Sequence, residues 1–519
     1  MTITTAKRIA ATLPRLAPLA AALMVALPAH AQWKITPSLS LSETYTDNVA
    51  LQSDDSKRSQ WVTEAMPGIT VSGKNSHVQL TARASAAFYK YSDGEPIGTR
   101  SNHTDYSAGG RAKVIDDLLY VDASAQGGSR AVSAFGLRDD SGNRYSSDNT
   151  TNVASWTISP YLTRRFGNFA VATLRYTHDS TKADDVRFGD SSTNSGLVDL
   201  GSGRAWRDLG WNLRYARQDF HTEEFGDTSS KNALAALSYA VNRTLKLTAT
   251  GGYDSYDYAA LGGSSTAGAS WSLGFDWKPS ARTSIDISAG RHFFGKTGSL
   301  AATHRSRHTV WGLTYSDAVT NTREQFTLPQ TLDTASLFDS MFALTIPDPV
   351  ARRQSIEAYL RATGLPSSLT ENVNFLSNRY FRQKQLQGTF AYTMRNQSTV
   401  LSAYANDRIA LSSGAADSGL LGSQMFALND NVRQLGLNAA YSYRLNALTS
   451  ANAALNATRS RSRSADVEEN QKNLRLAVTH RFGRTFAGVI ELRHTRGERG
   501  LFGTDYKENA ISATLSAQL

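Results

Sequence analysis

The stretch Gly268-Ala269-Ser270-Trp271-Ser272-Leu273-Gly274-Phe275-Asp276-Trp277-Lys278 alternates without interruption. Ala269, Trp271, Leu273, Phe275 and Trp277 share one parity, and Gly268, Ser270, Ser272, Gly274, Asp276 and Lys278 the other. A period of two sends the two sets to opposite faces of a β-strand. After the break Pro279-Ser280-Ala281-Arg282-Thr283 the pattern resumes, with Ile285, Ile287 and Ala289 set against Ser284, Asp286 and Ser288. An apolar band ending in tryptophan, opposite small polar residues, suits a strand with lipid on one side and water on the other. The device recurs from Trp33 to Leu519. It predicts an all-β fold: a transmembrane, antiparallel, up-and-down β-barrel of the outer-membrane kind.

The N-terminus fits that address. Lys7, Arg8 and Arg15 precede an apolar run from Leu16 to Leu27, and Ala29-His30-Ala31 is a small-x-small cleavage site. Residues 1–31 therefore read as a secretory signal peptide, the run being too short for a membrane anchor. Cleavage leaves 519 − 31 = 488 residues, 32–519, as the barrel, and lowers the formal charge from +10 to +7. The mean hydropathy of −0.37 resembles that of a soluble protein. A barrel strand escapes this test because it hides its apolar half among polar residues. The absence of cysteine removes disulfides and thiolate metal sites from consideration. The basic residues are dispersed rather than clustered, which disfavours nucleic acid as a partner. They point instead to lipopolysaccharide and outer-membrane lipids, or to a basic lumen. The barrel-assembly machinery is the other expected partner.

Strand-like segments follow one another at the spacing of ~10-residue tilted strands joined by alternating short and long connections. Short turns fall at Gly73-Lys74-Asn75-Ser76, Ile115-Asp116-Asp117, Phe166-Gly167-Asn168, Asn242-Arg243-Thr244, Arg395-Asn396-Gln397, Leu445-Asn446-Ala447 and Phe482-Gly483-Arg484, besides the Pro279 break. Long polar connections run from Asp47 to Arg58, Ser92 to Asn102, Gly127 to Thr150, Asp179 to Ser192 and Ser412 to Asn431. Parity counted from both ends makes the strands near Thr309–Tyr315 and Leu386–Met394 run the same way. It therefore demands one between them, at Thr322–Leu328. The total is about 20–22 strands, within a range of roughly 16 to 22, the hairpin at Leu197–Leu213 being the weakest.

The stretch 329–377 departs from the pattern. Asp348-Pro349 reads as an N-cap with proline at the first helical position; Ile356, Tyr359, Leu360 and Thr363 share a face, and Gly364 with Pro366 ends the helix. This helix-containing inserted loop is expected to decorate the outer surface, to constrict or cap the pore or, third, to extend into the periplasm. In the second case Arg352, Arg353 and Arg361 would pair with lumenal carboxylates.

Aromatic residues sit where interface girdles are expected: Trp33, Trp61, Trp156, Trp211, Trp271, Trp277, Trp311 and Tyr315. The opposite parity carries Arg83, Arg111, Lys113, Arg175, Arg214, Lys246, Lys278, Arg475 and Arg493, with Glu64, Asp122, Asp276, Asp286 and Glu491. These residues line the expected pore, either as cross-strand ion pairs or as a mildly basic, anion-preferring surface. Two clusters were weighed for chemistry. His178-Asp179 with Asp184 and Asp185 could activate water at a strand end, and His292, His304 and His308 flank one expected loop. Neither has the spacing of a known site, and no nucleophile, phosphate-loop or dinucleotide signature is present. No catalytic residue, metal or cofactor is expected.

Thr44-Tyr45-Thr46-Asp47-Asn48-Val49, Trp277-Lys278-Pro279-Ser280 with Arg282-Thr283, and Gly312-Leu313-Thr314-Tyr315-Ser316 resemble a known family. It is that of the outer-membrane β-barrels associated with the PEP-CTERM/exosortase system of exopolysaccharide-producing Gram-negative bacteria. The resemblance in layout covers the chain after residue 31. It implies an outer-membrane location and a link to polysaccharide, or to its export proteins, and brings no catalytic residues. The final Ile511, Ala513, Leu515, Ala517 and Leu519 resemble a barrel-assembly signal, with leucine in place of the usual terminal aromatic. The expected function is a pore or an export or assembly component. The alternatives are a structural or surface-interaction barrel with a blocked lumen and, last, an outer-membrane hydrolase.

Overall fold

The computed structural model describes residues 32–136, 145, 149–184, 190–222, 227–258, 266–321, 377, 379–412, 427–465, 467–483, 485–498 and 505–518. The first half of the sheet is built from β1 (Gln32–Thr46), β2 (Gln60–Lys74), β3 (Val78–Tyr91), β4 (Asn102–Ile115), β5 (Leu119–Ala131), β6 (Thr150–Phe166), β7 (Ala170–Ala183), β8 (Ser191–Ser202), β9 (Leu209–Thr222), β10 (Thr228–Ala240) and β11 (Leu245–Asp257). The second half adds β12 (Ala267–Ser280), β13 (Thr283–His292), β14 (Gly295–Arg305), β15 (Thr309–Asn321), β16 (Tyr380–Thr393), β17 (Gln397–Ala410), β18 (Asn431–Arg444), β19 (Thr449–Ser462), β20 (Glu468–Arg481), β21 (Phe486–Glu498) and β22 (Tyr506–Gln518). Each strand pairs antiparallel with its sequence neighbours, and Ser38–Thr46 of β1 pairs with Gln518–Ala510 of β22. The sheet is thus a closed barrel of 22 strands with no free edge, so its backbone hydrogen bonds are met without water.

The faces follow the period-two pattern. Trp271 is 53 % exposed and Leu273 60 %, while Ser270 beside them is only 7 % exposed. Large apolar side chains more exposed than the serines between them are the reverse of a soluble core. They make an outer face solvated by lipid tails. No described helix is long and apolar enough to cross a membrane, so the strands alone do the spanning.

The strand total agrees with the sequence, but one of its members does not. Residues 292–308 are not a single loop: β14 lies between β13 and β15, joined to β13 only through Phe293 and Phe294. With β14 in place β15 runs opposite to β16 and pairs with it directly, from Thr309↔Tyr392 to Asn321↔Tyr380. No strand intervenes, and Thr322–Leu328 lies outside the described residues. The physical cause is weak patterning in β14, whose outward positions Gly298, Leu300 and Ala302 include one large apolar side chain. A tight turn with Gly295 at φ 112° also stands where a long loop would be expected. The hairpin around Leu197–Leu213 is real, as β8 and β9. Residues 329–376, including Arg352, Arg353 and Arg361, are outside the described residues, as are residues 1–31, the expected signal peptide. The only helical turn among the described residues is the 3-10 segment Ala427–Asn429.

Thr44–Val49 acquires a structural role at the seam between β1 and β22. The Asp47 carboxylate accepts from the Asn509 amide N–H at 2.7 Å and from its side-chain Nδ2 at 2.8 Å. Asn48 donates Nδ2 to the carbonyls of Gln52 (2.6 Å) and Lys507 (3.0 Å), and its Oδ1 accepts from the Gln52 N–H at 2.9 Å. Leu51, at φ 50°, turns back to pack on Tyr506. The motif buttons the first long connection onto the last strand.

The connections 75–77, 116–118, 167–169, 203–208, 241–244, 281–282, 306–308, 394–396, 445–448 and 482–485 gather at one mouth together with both chain ends of the barrel. The longer connections, with the two-residue turn Phe293-Phe294, gather at the other mouth, which the asymmetry of such barrels assigns to the cell exterior. In a chain with no cysteine, Ile97→Cys, at a position 93 % exposed on the long-connection side, should label with an impermeant maleimide in intact cells. Ser280→Cys should label only after lysis. Labelling in the reverse order would invert the topology.

Candidate functional site

The belt aromatics fall into two rows. Trp33, Trp211, Trp277 and Trp311 lie toward the short-turn mouth, Trp61, Trp156 and Trp271 lie toward the other, and Tyr315 sits between them on the same outer face. They are braced by outward neighbours: Tyr45 against Trp61 at 5.2 Å, Phe390 against Trp311 at 4.4 Å, and Trp206 against Trp211 at 6.2 Å.

The charged positions named from the sequence all fall on the inward face, and most sit within an ion pair or opposite an acid. Asp122 accepts from Arg111 at 2.7 Å and Arg175 at 3.2 Å, and Arg175 lies over the Tyr161 ring at 4.0 Å. Asp276 is held by Lys278 at 2.6 Å and stands across from Lys246 on one side and Asp286 on the other. Arg214 faces Asp199. Arg83 lies between Thr70 and Ser107, and Lys113 beside Tyr120. Arg475 approaches Glu491 at 3.8 Å, and Arg493 is paired with Glu508 at 2.8 Å. The carboxylates expected to anchor Arg352, Arg353 and Arg361 thus have cationic neighbours within the wall at Asp276 and Glu491.

The lumenal face of β16–β20 is different in kind. Along one rung Thr389, Ser402, Asn438, Asn456 and Asn473 stand side by side on five successive strands. The next rung carries Gln387, Tyr404, Gly436, Thr458 and Gln471. Gly436 is required there, since a Cβ would lie 2.2 Å from the Tyr404 ring. Above them Gln383 donates to Asn406 at 2.9 Å, and Asn406 to Gln434 at 3.1 Å. Neither side-chain polar atom of Asn438 has a hydrogen-bond partner among the described residues, nor do Gln387 Oε1, Ser402 Oγ and Gln471 Nε2. All four residues are more than nine-tenths buried. Unmet amide and hydroxyl groups in such a position are costly unless something satisfies them. This wall is uncharged, donor- and acceptor-rich, and carries an aromatic ring.

The described residues of the connection between β5 and β6, 132–136, 145 and 149, lie at the long-connection mouth. Its base is pinned by Asn149, whose Oδ1 accepts from the Ser133 N–H and whose Nδ2 donates to the Ser133 carbonyl, both at 3.0 Å. From there one arm reaches the far wall. The Gly136 N–H donates to Glu469 of β20 at 2.7 Å, and Ala134 and Phe135 pack with Leu428, Val432 and Val467. The other arm brings Tyr145, 4 % exposed, onto β21 and β22. The Tyr145 hydroxyl donates to Glu508 at 3.4 Å and accepts from Arg493 at 3.2 Å, and Thr46 donates to the same Glu508 oxygen at 2.9 Å. The Tyr145 ring meets Tyr89 and Tyr91 edge-on at 6.0 and 6.3 Å, and the Tyr145 carbonyl accepts from the Arg100 N–H at 2.9 Å. Burial, reinforced by Glu508 and opposed by Arg493, pushes the Tyr145 phenol far above its ordinary pKa, so this contact stays protonated.

The two clusters weighed for chemistry come apart. His178 faces outward, 5.2 Å from Trp156, while Asp179 faces inward on the opposite side of β7. Asp184 accepts from Asn152, and Asp185 is outside the described residues. His292 lies at the long-connection mouth against Asp254 at 2.6 Å. His304 and His308 lie at the other mouth, a whole strand away. No group of metal-ligating side chains forms among the described residues. Tyr145, Glu508 and the amide rungs were missed by the sequence reading. Single uncharged polar residues carry no signal in one strand, and Tyr145 sits in a stretch read only as a polar loop.

A closed barrel with a lipid-facing apolar belt, aromatic rows and a polar lumen is an outer-membrane β-barrel of a Gram-negative bacterium. Among solved structures, the chain is similar to the siderophore receptor PirA from Pseudomonas aeruginosa, with 10 % identity over 94 % of this chain and 80 % of that one and a TM-score of 0.44. It is also similar to the FrpB iron transporter from Neisseria meningitidis, with 8 % identity over 93 % and 81 % and a TM-score of 0.49. Likeness at that level says nothing of a shared ligand or role. No family model matches the sequence, and no curated protein does.

Proposed function

We propose that the protein is a gated, non-enzymatic pore that passes an uncharged, hydroxyl-rich polymer across the outer membrane, as a component of extracellular polysaccharide export or assembly. The observation that carries this reading is the amide wall of β16–β20, with buried polar atoms left unpaired. Carboxamides both donate and accept, so they match the hydroxyl groups of a sugar, and an aromatic face suits its C–H surface. The charged wall is largely paired within itself and supports anion selectivity less well. The loop between β5 and β6 supplies the gate. The resemblance to exopolysaccharide-associated barrels agrees with this reading, although its Thr44–Val49 motif is accounted for by the seam alone.

A structural barrel with a blocked lumen is the second reading, favoured by the apolar contact of Ala134 and Phe135 with Leu428, Val432 and Val467. Planar-bilayer recordings separate the two. With the gate weakened by Tyr145→Ala, neutral maltodextrins should interrupt the current at lower concentration than anionic uronate oligomers of equal length. Asn438→Leu should weaken the neutral block by about tenfold, the scale of one or two lost hydrogen bonds. Equal block by both oligomers would exclude the uncharged cargo, and no current from a folded barrel would favour the structural reading.

A further inference from the structure

We propose that the outer face of β20–β22 binds one molecule of a phosphorylated, multiply acylated glycolipid, the lipid A part of lipopolysaccharide. Its phosphate would lie on Lys472, Arg496 and Lys507, and its acyl chains would lie in the groove below them.

The first observation is electrostatic. Lys472 stands directly across from Arg496, and Arg496 directly across from Lys507, so one rung of three adjacent strands carries three exposed cations. Like charges directly opposite in a sheet destabilise it. The local anions are too few: Glu498 binds Arg496 at 2.9 Å, and Asp54, 3.9 Å from Lys507, also serves Lys57 at 3.5 Å. Lys472 has no carboxylate within ion-pair distance among the described residues. Several outward cations of the same mouth are matched, Arg382 by Asp317 at 2.6 Å, Arg459 by Glu468 at 2.6 Å, and Arg433 and Arg463 by Asp407 at 3.8 and 3.5 Å, whereas Arg291 stands across from Lys296 and Lys231 across from Arg217. Those are pairs, whereas the rung on β20–β22 sets three cations in a row on adjacent strands, and an external anion would complete it.

The second observation is the surface beneath. The next rung toward the membrane holds Leu474, His494 and Asn509, and the one after it Leu476, Leu492, Ile511 and Tyr45. These residues, together with Asp47, whose carboxylate accepts from Asn509, line a groove of about 550 Å³ on the outer face. Rungs on one face are spaced by ~7 Å, so the leucines begin about one rung below the cations and the aromatic row of Tyr45 and Trp61 about two rungs below. Cations outermost, the bonded polar group of His494, Asn509 and Asp47 at the sugar level, and alkyl groups below follow the order of a lipid A molecule in the outer leaflet. A free phosphate would use only the first rung, and a glycerophospholipid would leave the second without a partner.

The test uses full-length protein purified in mild detergent and stripped of lipid. Rebinding of purified lipid A, of its enzymatically dephosphorylated form and of phosphatidylglycerol is measured by native mass spectrometry. The wild type should bind about one lipid A per barrel, at least about tenfold more tightly than either comparison lipid. The triple variant Lys472→Gln, Arg496→Gln, Lys507→Gln should lose that preference. A control carrying Arg433→Gln, Arg459→Gln and Arg463→Gln should keep it. If the triple variant does not fold, shown by loss of heat-modifiable gel migration, the dephosphorylated lipid on the wild type decides alone. Equal binding of phosphatidylglycerol, or of lipid A by a folded triple variant, would overturn the proposal.

Discussion

Tyr145→Ala should open the pore, raising single-channel conductance several-fold, as expected when a loop is freed from the lumen of a 22-stranded barrel. The phenol is the point at which the loop between β5 and β6 is fastened to β21 and β22, through Arg493 at 3.2 Å and Glu508 at 3.4 Å. Truncating a buried aromatic ring costs ~3–5 kcal/mol. A shift of ~1.4 kcal/mol already changes a two-state population tenfold. Most molecules should therefore dwell with the loop released. Tyr145→Phe keeps the ring against Tyr89 and Tyr91 and loses only the hydrogen bonds, ~1 kcal/mol, so its effect should be smaller. Cells carrying the alanine variant should also become sensitive to antibiotics too large for ordinary porins. Unchanged conductance in a barrel that still migrates as folded would show that this loop is not the gate. Because the phenol stays protonated, conductance should show no step attributable to Tyr145 at neutral or mildly alkaline pH.

The second large effect falls on stability. Glu508 is fully buried, and Arg493 contacts it twice, Nε to Oε2 at 3.2 Å and Nη2 to Oε1 at 2.8 Å. Glu508→Ala takes from the buried guanidinium the carboxylate that meets it twice, which costs about 3–5 kcal/mol. The denaturant midpoint of the detergent-folded barrel, followed by tryptophan fluorescence, should fall accordingly. The double variant Arg493→Met, Glu508→Met removes both charges and should recover most of the loss, because a well-packed apolar pair avoids the desolvation penalty. A double variant no better than the single one would mean that Thr46 and Tyr145, which also bind Glu508, carry the stability instead.

The alternation from Gly268 to Lys278 was enough to place Trp271 outward and Asp276 inward, because side-chain direction in a strand depends only on parity. The same rule placed every inward charge named from the sequence, and it reached a strand total of 22 while misassigning one member. The lapse at β14 came where the rule had least to act on, in a strand with a single large outward side chain beside a turn of two residues. Partners were less legible than faces. That Asp276 meets Lys278 is local, but that Asp122 serves both Arg111 and Arg175 depends on the register of β4 to β7.

What the sequence determined by itself is therefore the barrel and its two faces, since both rest on interactions within a strand or between chain neighbours. What only the tertiary structure decided is the interior of the lumen. Closure brings Tyr145 to Glu508 across 363 residues and Ser133 to Asn429 across 296. It also lines up Ser402, Asn438 and Asn456 into one uncharged rung from three strands, in none of which an asparagine or serine is notable. A rung is a property of inter-strand register, which the closed hydrogen-bonded ring sets and no single strand encodes.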